Sequence, residues 1–234
     1  SPRPVGPALA RRRSRTTVGG DEEPQIDPVA PVVAVVGADQ HGLECAAEAL
    51  RSGSCVGLPT DTVYGLSAAL SRSGAVRSLF ELKGRAATKA MAVLVGSVDQ
   101  ARELGVLNEH AVEIVQRYWP GPLTVVVRRA DGLRIDLGGD SGTIGLRCPD
   151  SALLNALIAQ VGPLVTTSAN RAGHPTITSA ARIAEEFGDR LAVVIDGGEL
   201  AESASTVVDL SGTGIDVLRE GPIPTGDLMR ASRR

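Results

Sequence analysis

The segment Cys55-Val-Gly-Leu-Pro-Thr-Asp-Thr-Val-Tyr-Gly-Leu66 joins a short apolar run directly to a cluster of small polar side chains. The run at 55–58 predicts a buried strand. Because ligands of α/β proteins bind beyond the carboxyl ends of strands, Thr60, Asp61 and Thr62 predict a binding loop. The same three residues would serve equally well as the N-cap of a helix, so both interpretations stay open.

Strand-like and helix-like patterns alternate on both sides of this segment. Strands are predicted at 32–36, 92–95, 123–128, 143–146, 164–167 and 191–195, with a hairpin at 206–210 and 216–219. Helices are predicted after the capping residues Asp39, Ser73 and Ser97, with Gln100 completing a capping box at Ser97, and over 108–118, 151–161 and 179–187. The alternation continues without a linker, which predicts a single α/β domain over residues 31–222.

The two ends of the chain differ from this domain. Residues 1–30 are rich in proline, lack aromatic residues and contain four arginines between positions 11 and 15, a composition typical of a disordered N-terminal extension. Residues 223–234 are interpreted as a C-terminal tail.

The composition of the chain excludes several classes of protein. With 234 residues and a net charge of -3, it has no overall positive field for non-specific nucleic-acid binding. The three cysteines are far apart, which argues against a disulfide framework or a structural zinc site. No apolar run is long enough to span a bilayer, and no secretory signal is visible, so we expect a cytoplasmic protein.

Familiar catalytic motifs are also missing from the sequence. It has no phosphate-binding G-x-x-x-x-G-K-[ST] motif and no G-x-S-x-G nucleophile elbow. None of the three histidines has metal-ligand spacing to another histidine or to a cysteine. An enzyme with this sequence would therefore act by positioning and electrostatics rather than through a covalent side chain.

The only two lysines among 24 basic residues are Lys83 and Lys89, and Arg85 lies between them. Three cations at a helix C-terminus could simply complement the helix dipole. A chain that otherwise uses arginine nevertheless keeps lysine twice in one loop, which favours a phosphate contact.

Three further segments place polar groups on or after predicted strands. Thr143, Gly145 and Arg147 share one face of a strand, with room for a ligand above the glycine. Hydroxyls and an amide follow another strand at 166–170, and residues 203–206 add a second hydroxyl cluster. An exposed edge-strand arginine and simple turns would explain these features without a ligand. Taken together, the segments favour a nucleoside triphosphate with a small polar co-substrate.

Five motifs in one order resemble the YrdC/Sua5/TsaC family of threonylcarbamoyl-AMP synthases. They are Pro59-Thr-Asp-Thr-Val-Tyr-Gly-Leu66, Lys83-Gly-Arg85, Trp119-Pro-Gly-Pro-Leu-Thr124, Ser168-Ala-Asn170 and Ser205-Thr-Val-Val-Asp209. The resemblance covers nearly all of residues 40–221 and is to the short, single-domain form. It implies a twisted mixed β-sheet with flanking helices around a deep cavity.

The resemblance also implies a reaction. L-threonine, bicarbonate or CO2, and ATP with Mg2+ would give threonylcarbamoyl-AMP and pyrophosphate. Partner proteins, the downstream transferases, would then use the intermediate to make N6-threonylcarbamoyladenosine at position 37 of tRNA. The chain would thus meet tRNA only indirectly and would not contact a membrane.

The family's site residues are carried over by motif. Lys83 and Arg85 would be catalytic and would hold the ATP phosphates. The other ATP-binding residues would be Thr143, Ser168, Asn170 and Arg219, and the threonine-binding residues would be Thr60, Arg147 and Ser205.

The chain departs from the family at Ala86, Ala90 and Met91, where a proline and a Pro-Leu pair are common. Without these prolines the loop should be more mobile. Two other interpretations remain. One is an RNA-binding module with a basic concave surface. The other is the related carbamoyl-transfer domain of hydrogenase maturation proteins, which normally belongs to a longer chain with zinc motifs.

Overall fold

The computed structural model describes residues 33–84, 89–200 and 203–231. The predicted extension at 1–30 lies outside them. The strands are β1 (Ala34–Gly37), β2 (Val56–Pro59), β3 (Tyr64–Ala69), β4 (Ala92–Leu94), β5 (Gly105–Val106), β6 (Leu123–Arg129), β7 (Thr143–Arg147), β8 (Leu164–Ser168), β9 (Val193–Asp196), β10 (Thr206–Asp209) and β11 (Asp216–Arg219). The helices are α1 (Gln40–Ser52), α2 (Ser73–Lys83), α3 (Val98–Leu104), α4 (Glu109–Tyr118), α5 (Ala152–Val161), α6 (Ala180–Phe187) and α7 (Thr225–Ala231).

The eleven strands form one mixed sheet. Its order is β1-β9-β2-β3-β8-β4-β7-β6-β10-β11, and β5 pairs with β6 outside this path. The sheet contains both parallel pairs, such as β4 with β7, and antiparallel pairs, such as β6 with β7. The predicted α/β class and mixed sheet are confirmed. The predicted hairpin is also confirmed, because β10 pairs with β11 in antiparallel fashion.

The helix caps follow the sequence signals, except at Ser73 and in the second half of the capping box, where the Gln100 side chain accepts from the backbone N–H of Gly96 and not of Ser97. The side chains of Asp39 and Ser97 each accept a hydrogen bond from a first-turn backbone N–H, as predicted, and Ser151 does the same at α5. The predicted cap at Ser73 is wrong. The N-cap of α2 is Arg72, which makes no side-chain capping bond, and Ser73 is already the first helical residue.

Strand β3 was not predicted. The polar residues after β2 do not cap a helix. Residues 60–63 instead form the loop of a β2–β3 hairpin. All six residues of β3 are buried, so the strand lacks the alternation that marks a half-exposed strand. Gly65 is required there, since a Cβ at this position would lie 2.7 Å from Oγ1 of Thr166.

The apolar core is divided between two clusters of buried residues. The smaller cluster includes the inner faces of α1 and α5. The larger cluster includes inner residues of α2, α3, α4, α6 and α7, together with strand residues such as Tyr64 and Val125. Side chains of both clusters pack against the sheet, which positions the strands that carry the polar residues described below.

The C-terminal residues form a helix, α7, which packs into the core of the domain. Helix α7 begins at Thr225, and its Leu228 is fully buried. The Thr206 hydroxyl accepts hydrogen bonds from the backbone N–H groups of Gly221 and Ile223, which fixes the approach to this helix. Residues 223–231 are therefore part of the domain, a correction to the predicted tail.

Within the ranges that the structure describes, no helix has both the length and the apolar character needed to cross a membrane.

Candidate active site

A cavity of about 500 Å³ lies against the sheet. Its lining comes from β3, β4, β6, β7, β8, β10 and β11, together with the hairpin loop at 60–63. The volume lies within the usual range for small-molecule sites. One concave site therefore collects side chains from segments far apart in the sequence.

The face of β7 forms part of this cavity, as the sequence predicts. Thr143, Gly145 and Arg147 all line it. The missing side chain at Gly145 leaves open space, because a Cβ there would come no closer than 3.5 Å to a neighbouring side chain, the Thr124 methyl group. Strand β7 lies between β4 and β6, and Arg147 is only 6% exposed. The alternative of a solvent-exposed edge arginine is wrong.

The guanidinium group of Arg147 is held by two segments, the hairpin loop at 60–63 and Gly121 before β6. Its Nε donates to the carbonyl oxygen of Gly121 over 3.1 Å, and its Nη1 donates to the hydroxyl of Thr62 over 2.8 Å. Its Nη2 forms an ion pair with Oδ1 of Asp61 at 2.5 Å, and Asp61 accepts a further hydrogen bond from the backbone N–H of Asp150. We refer to Arg147, Asp61, Thr62 and Gly121 as the arginine clamp.

Thr60 shapes the hairpin loop beside the arginine clamp. Its hydroxyl donates to the carbonyl oxygen of Val63 over 2.6 Å and accepts from the backbone N–H groups of Thr62 and Val63. Thr60 also lines the cavity, next to the position where Arg147 enters it. The predicted threonine-binding residues Thr60 and Arg147 are thus brought together, and the loop that joins them is fixed by its own hydrogen bonds.

Lys83, Ser168 and Asn170 also meet, as their motifs predict. The Lys83 ammonium donates to the carbonyl oxygen and hydroxyl of Ser168 and to Oδ1 of Asn170, over 2.7, 3.2 and 2.8 Å. Ser168 lines the cavity, whereas Lys83 is 3% exposed and is not among the lining residues. Asn170 lines a neighbouring depression instead. In this structure Lys83 therefore supports the wall that Ser168 presents.

Two further cations, Arg85 and Lys89, follow Lys83 in the sequence. Arg85 lies outside the described residues, so its predicted contact with phosphate stays a prediction. Lys89 is exposed and lines the cavity. The pair of lysines in this loop favours a phosphate contact at Lys89 as well, although no family motif includes it.

Ser205 and Arg219 also line the cavity. Arg219 donates from Nε to the carbonyl oxygen of Ser205 and from Nη2 to its hydroxyl, over 3.0 and 3.2 Å. The Ser205 hydroxyl also lies 2.9 Å from the Thr124 hydroxyl. Partial burial of its guanidinium group and, second, the positive charge of Arg147 lower the pKa of Arg219.

Thr62 and Thr166 belong to the hydroxyl clusters predicted after strands, and both line the cavity. Two further polar lining residues, Thr124 and Arg129, have no predicted role. Thr124 belongs to the motif at 119–124, so a sequence signal for it was available. Arg129 donates to the carbonyl oxygens of Ile135 and Thr143, which ties down the loop after β6, and no sequence pattern marks this role.

The described lining is strongly cationic. It contains Lys89, Arg129, Arg147 and Arg219 but no aspartate or glutamate. Such a cavity attracts anions in a chain whose net charge is negative. A resident Mg2+ prefers carboxylate oxygens, which this lining does not provide. Any magnesium would therefore enter already bound to a polyphosphate ligand.

Comparison with known proteins gives a consistent result. The family model of the Sua5/YciO/YrdC domain, described as "Telomere recombination", matches residues 48–221. A Mycobacterium tuberculosis protein with the provisional name threonylcarbamoyl-AMP synthase is 40% identical over 187 residues, which cover 79% of this chain and 86% of the relative. The threonylcarbamoyl-AMP synthase of Homo sapiens is 38% identical over 194 residues, covering 77% and 67%.

A solved structure shares the fold. The crystal structure of Pyrococcus abyssi Sua5 in complex with L-threonine superposes with a TM-score of 0.79 at 33% identity. The match covers 86% of this chain but only 60% of the Sua5 chain. The match to the family model and the two sequence relatives together show that this chain belongs to the Sua5/YciO/YrdC family.

Proposed function

We propose that this protein is a threonylcarbamoyl-AMP synthase, which converts L-threonine, bicarbonate or CO2, and ATP to threonylcarbamoyl-AMP and pyrophosphate. The observation that carries the proposal is one cavity in which four cations and several hydroxyls converge from separate segments of the chain. This lining suits a polyphosphate next to a small polar acid. Relatives named for this activity match most of the chain.

L-threonine would bind at the arginine clamp. Three of the five N–H groups of Arg147 are used by the protein, which fixes the plane of the guanidinium and leaves two donors for a carboxylate. Thr60 and Ser205 line the cavity close to this group and would contact the rest of the amino acid. The Sua5 relative whose structure contains L-threonine supports this choice of substrate.

ATP would occupy the remainder of the cavity. Thr143, Ser168, Lys89 and Arg219 present hydroxyls and cations to it. Lys83 and Asn170 would act behind this surface by holding Ser168 in place. Arg85 would add a further cation on the phosphates. Mg2+ would arrive with ATP and neutralise part of the phosphate charge.

The chemistry needs no nucleophilic side chain. The threonine nitrogen bonds to the carbon of CO2, an electron pair moves from carbon to oxygen, and the nitrogen releases a proton to give a carbamate. A carbamate oxygen then attacks the α-phosphorus of ATP, and the bond to pyrophosphate breaks. The cations would stabilise the charge that develops on the phosphoryl oxygens. The largely enclosed clamp would limit hydrolysis of the carbamate.

The product would be consumed by a second class of enzyme. Threonylcarbamoyl-AMP is a mixed anhydride that hydrolyses readily, so a transferase must collect it and modify tRNA. We expect the chain to supply the first step of this modification and to meet tRNA only through such partners.

The test is incorporation of radiolabelled bicarbonate into an adenylate, which is separated from free bicarbonate by rapid chromatography because the product hydrolyses readily. We expect label only when both ATP and L-threonine are present, with one pyrophosphate released for each carbon incorporated. Arg102→Met, which changes an exposed arginine on α3, serves as a control and should leave incorporation unchanged. Pyrophosphate release that does not depend on threonine, or the absence of label in the product, would overturn the proposal.

A further inference from the structure

Leu218 is the most exposed of the large apolar side chains in the described residues, at 61% exposure. It is not simply a surface residue, because it also lines the cavity. An exposed leucine inside a ligand site suggests that a bound group covers it.

The backbone explains why Leu218 faces the cavity. In β10 and β11, Val207 pairs with Arg219 and Val208 pairs with Val217, so Leu218 is the extra residue of a β-bulge. In a regular strand, Leu218 and Arg219 would point to opposite faces. Both line the cavity here, as expected where a bulge redirects a side chain.

Leu218 has apolar neighbours on the same side of the cavity. Val207 on β10 and Val126 on β6 both line it, and both are only partly buried. We refer to Val126, Val207 and Leu218 as the apolar platform. The platform directly adjoins Arg219, the next residue in the chain, so an apolar surface and a cation lie side by side.

From this geometry we infer that the apolar platform binds the purine base of the nucleotide, with Leu218 covering one face of the ring. The inference rests on the proposed function, since it takes ATP as the ligand. Threonine has a single methyl group and the carbon donor has none, so the base is the only reactant with enough apolar area to cover the platform. The adjoining Arg219 would then interact with the anionic part of the same molecule.

The experiment compares two ligands and three variants. Leu218→Ser removes the apolar surface, Leu218→Met keeps it, and Met229→Ser changes an exposed apolar residue on α7 that does not line the cavity. Calorimetry measures the Kd of each variant for Mg-ATP and for magnesium-bound inorganic triphosphate, which has no base. Because Leu218 is largely exposed, we expect none of these changes to alter the melting temperature.

The inference predicts a selective loss. Leu218→Ser should raise the Kd for ATP about 5- to 20-fold and leave that for inorganic triphosphate unchanged. Leu218→Met and Met229→Ser should resemble the wild type with both ligands. Equal weakening of both ligands, no effect on ATP, or a larger effect on threonine binding would overturn the inference while leaving the proposed function intact. Failure of the wild type to bind ATP would instead overturn both.

Discussion

The two arginines of the cavity, Arg147 and Arg219, stand in opposite surroundings. Arg147 is almost fully buried and is held by a carboxylate and a hydroxyl of the hairpin loop and by the carbonyl group of Gly121. Arg219 lies on the edge strand β11, is exposed, and is held through Ser205. We refer to the two regions as the closed end and the open end of the cavity.

The difference indicates a division of labour. A rigid, desolvated guanidinium suits a small substrate that must be placed accurately, because its donors are fixed before binding. An exposed arginine beside an apolar platform suits a larger ligand that enters from solvent and leaves again as pyrophosphate and adenylate. Changes at the closed end should therefore lower both the stability of the fold and the affinity for threonine. Changes at the open end should lower the affinity for the nucleotide.

The largest effect is expected from Arg147→Met. Loss of the carboxylate-binding group should lower threonine-dependent turnover about 10²–10³-fold. The change also leaves Asp61 without its ion-pair partner, which should lower the free energy of unfolding by about 3 kcal/mol. Chemical denaturation and pyrophosphate release measure the two effects.

A double variant separates these two effects. Asp61→Asn combined with Arg147→Met should recover much of the lost stability but none of the turnover. The exposed pair of Arg102 and Asp99 is the matched control, and breaking it should cost less than about 1 kcal/mol. Recovery of turnover in the double variant would show that Arg147 has only a structural role.

The next largest effect is expected from Lys83→Met. Ser168 and Asn170 lose a buried donor, which should lower the free energy of unfolding by about 1–3 kcal/mol. The affinity of the variant for ATP should also fall, because Ser168 is no longer held in the cavity wall. A variant of unchanged stability that has lost only ATP binding would contradict the supporting role and place Lys83 directly on the nucleotide.

Arg219→Gln should have a smaller and more selective effect. We expect the Kd for ATP to rise about tenfold, because a charge-assisted hydrogen bond is lost. Threonine binding and the melting temperature should barely change, since the residue is exposed. A larger loss for threonine than for ATP, measured by calorimetry, would remove the distinction between the two ends.

The smallest effect concerns thiol reactivity. Burial raises the pKa of Cys55 to about 11, and burial together with the Asp61 carboxylate raises that of Cys148, which adjoins Arg147. At pH 8 a thiol-specific reagent should therefore modify the partly exposed Cys45 first and the other two slowly. Rapid reaction of Cys148 would show that the closed end opens readily.

The raised pKa of Cys55 makes the stability of the protein depend on pH. The pKa of Cys55 in the folded protein exceeds its ordinary value of 9.0. The Cys55 thiol therefore makes its full contribution to the free energy of unfolding below pH 9.0. That contribution is lost as the pH rises through about 11. A Cys55→Ala variant should lack this part of the alkaline loss of stability.

Much of the fold and part of the closed end could be predicted from the sequence. The shared face of Thr143, Gly145 and Arg147 follows from the period of a strand, and the caps at Asp39, Ser97 and Ser151 follow from side-chain chemistry. Strand β3 could not be predicted, because a strand buried on both faces shows no alternation of polar and apolar residues.

The open end and the position of Lys83 depend on three-dimensional features without a local signal. A period of two places Leu218 and Arg219 on opposite faces, and only the pairing of β10 with β11 reveals the bulge. A lysine in a phosphate-binding motif is expected to point into the cavity, whereas the packing of α2 buries Lys83 behind Ser168. The sequence thus places these residues at or near the cavity but does not show where each side chain points.

The most direct test of this account is a crystal structure of the protein with L-threonine and a non-hydrolysable ATP analogue bound together. The account predicts both ligands in the one cavity, with the threonine carboxylate on Arg147 and the purine ring against Leu218. Threonine bound away from Arg147, or the two ligands in separate sites, would contradict it.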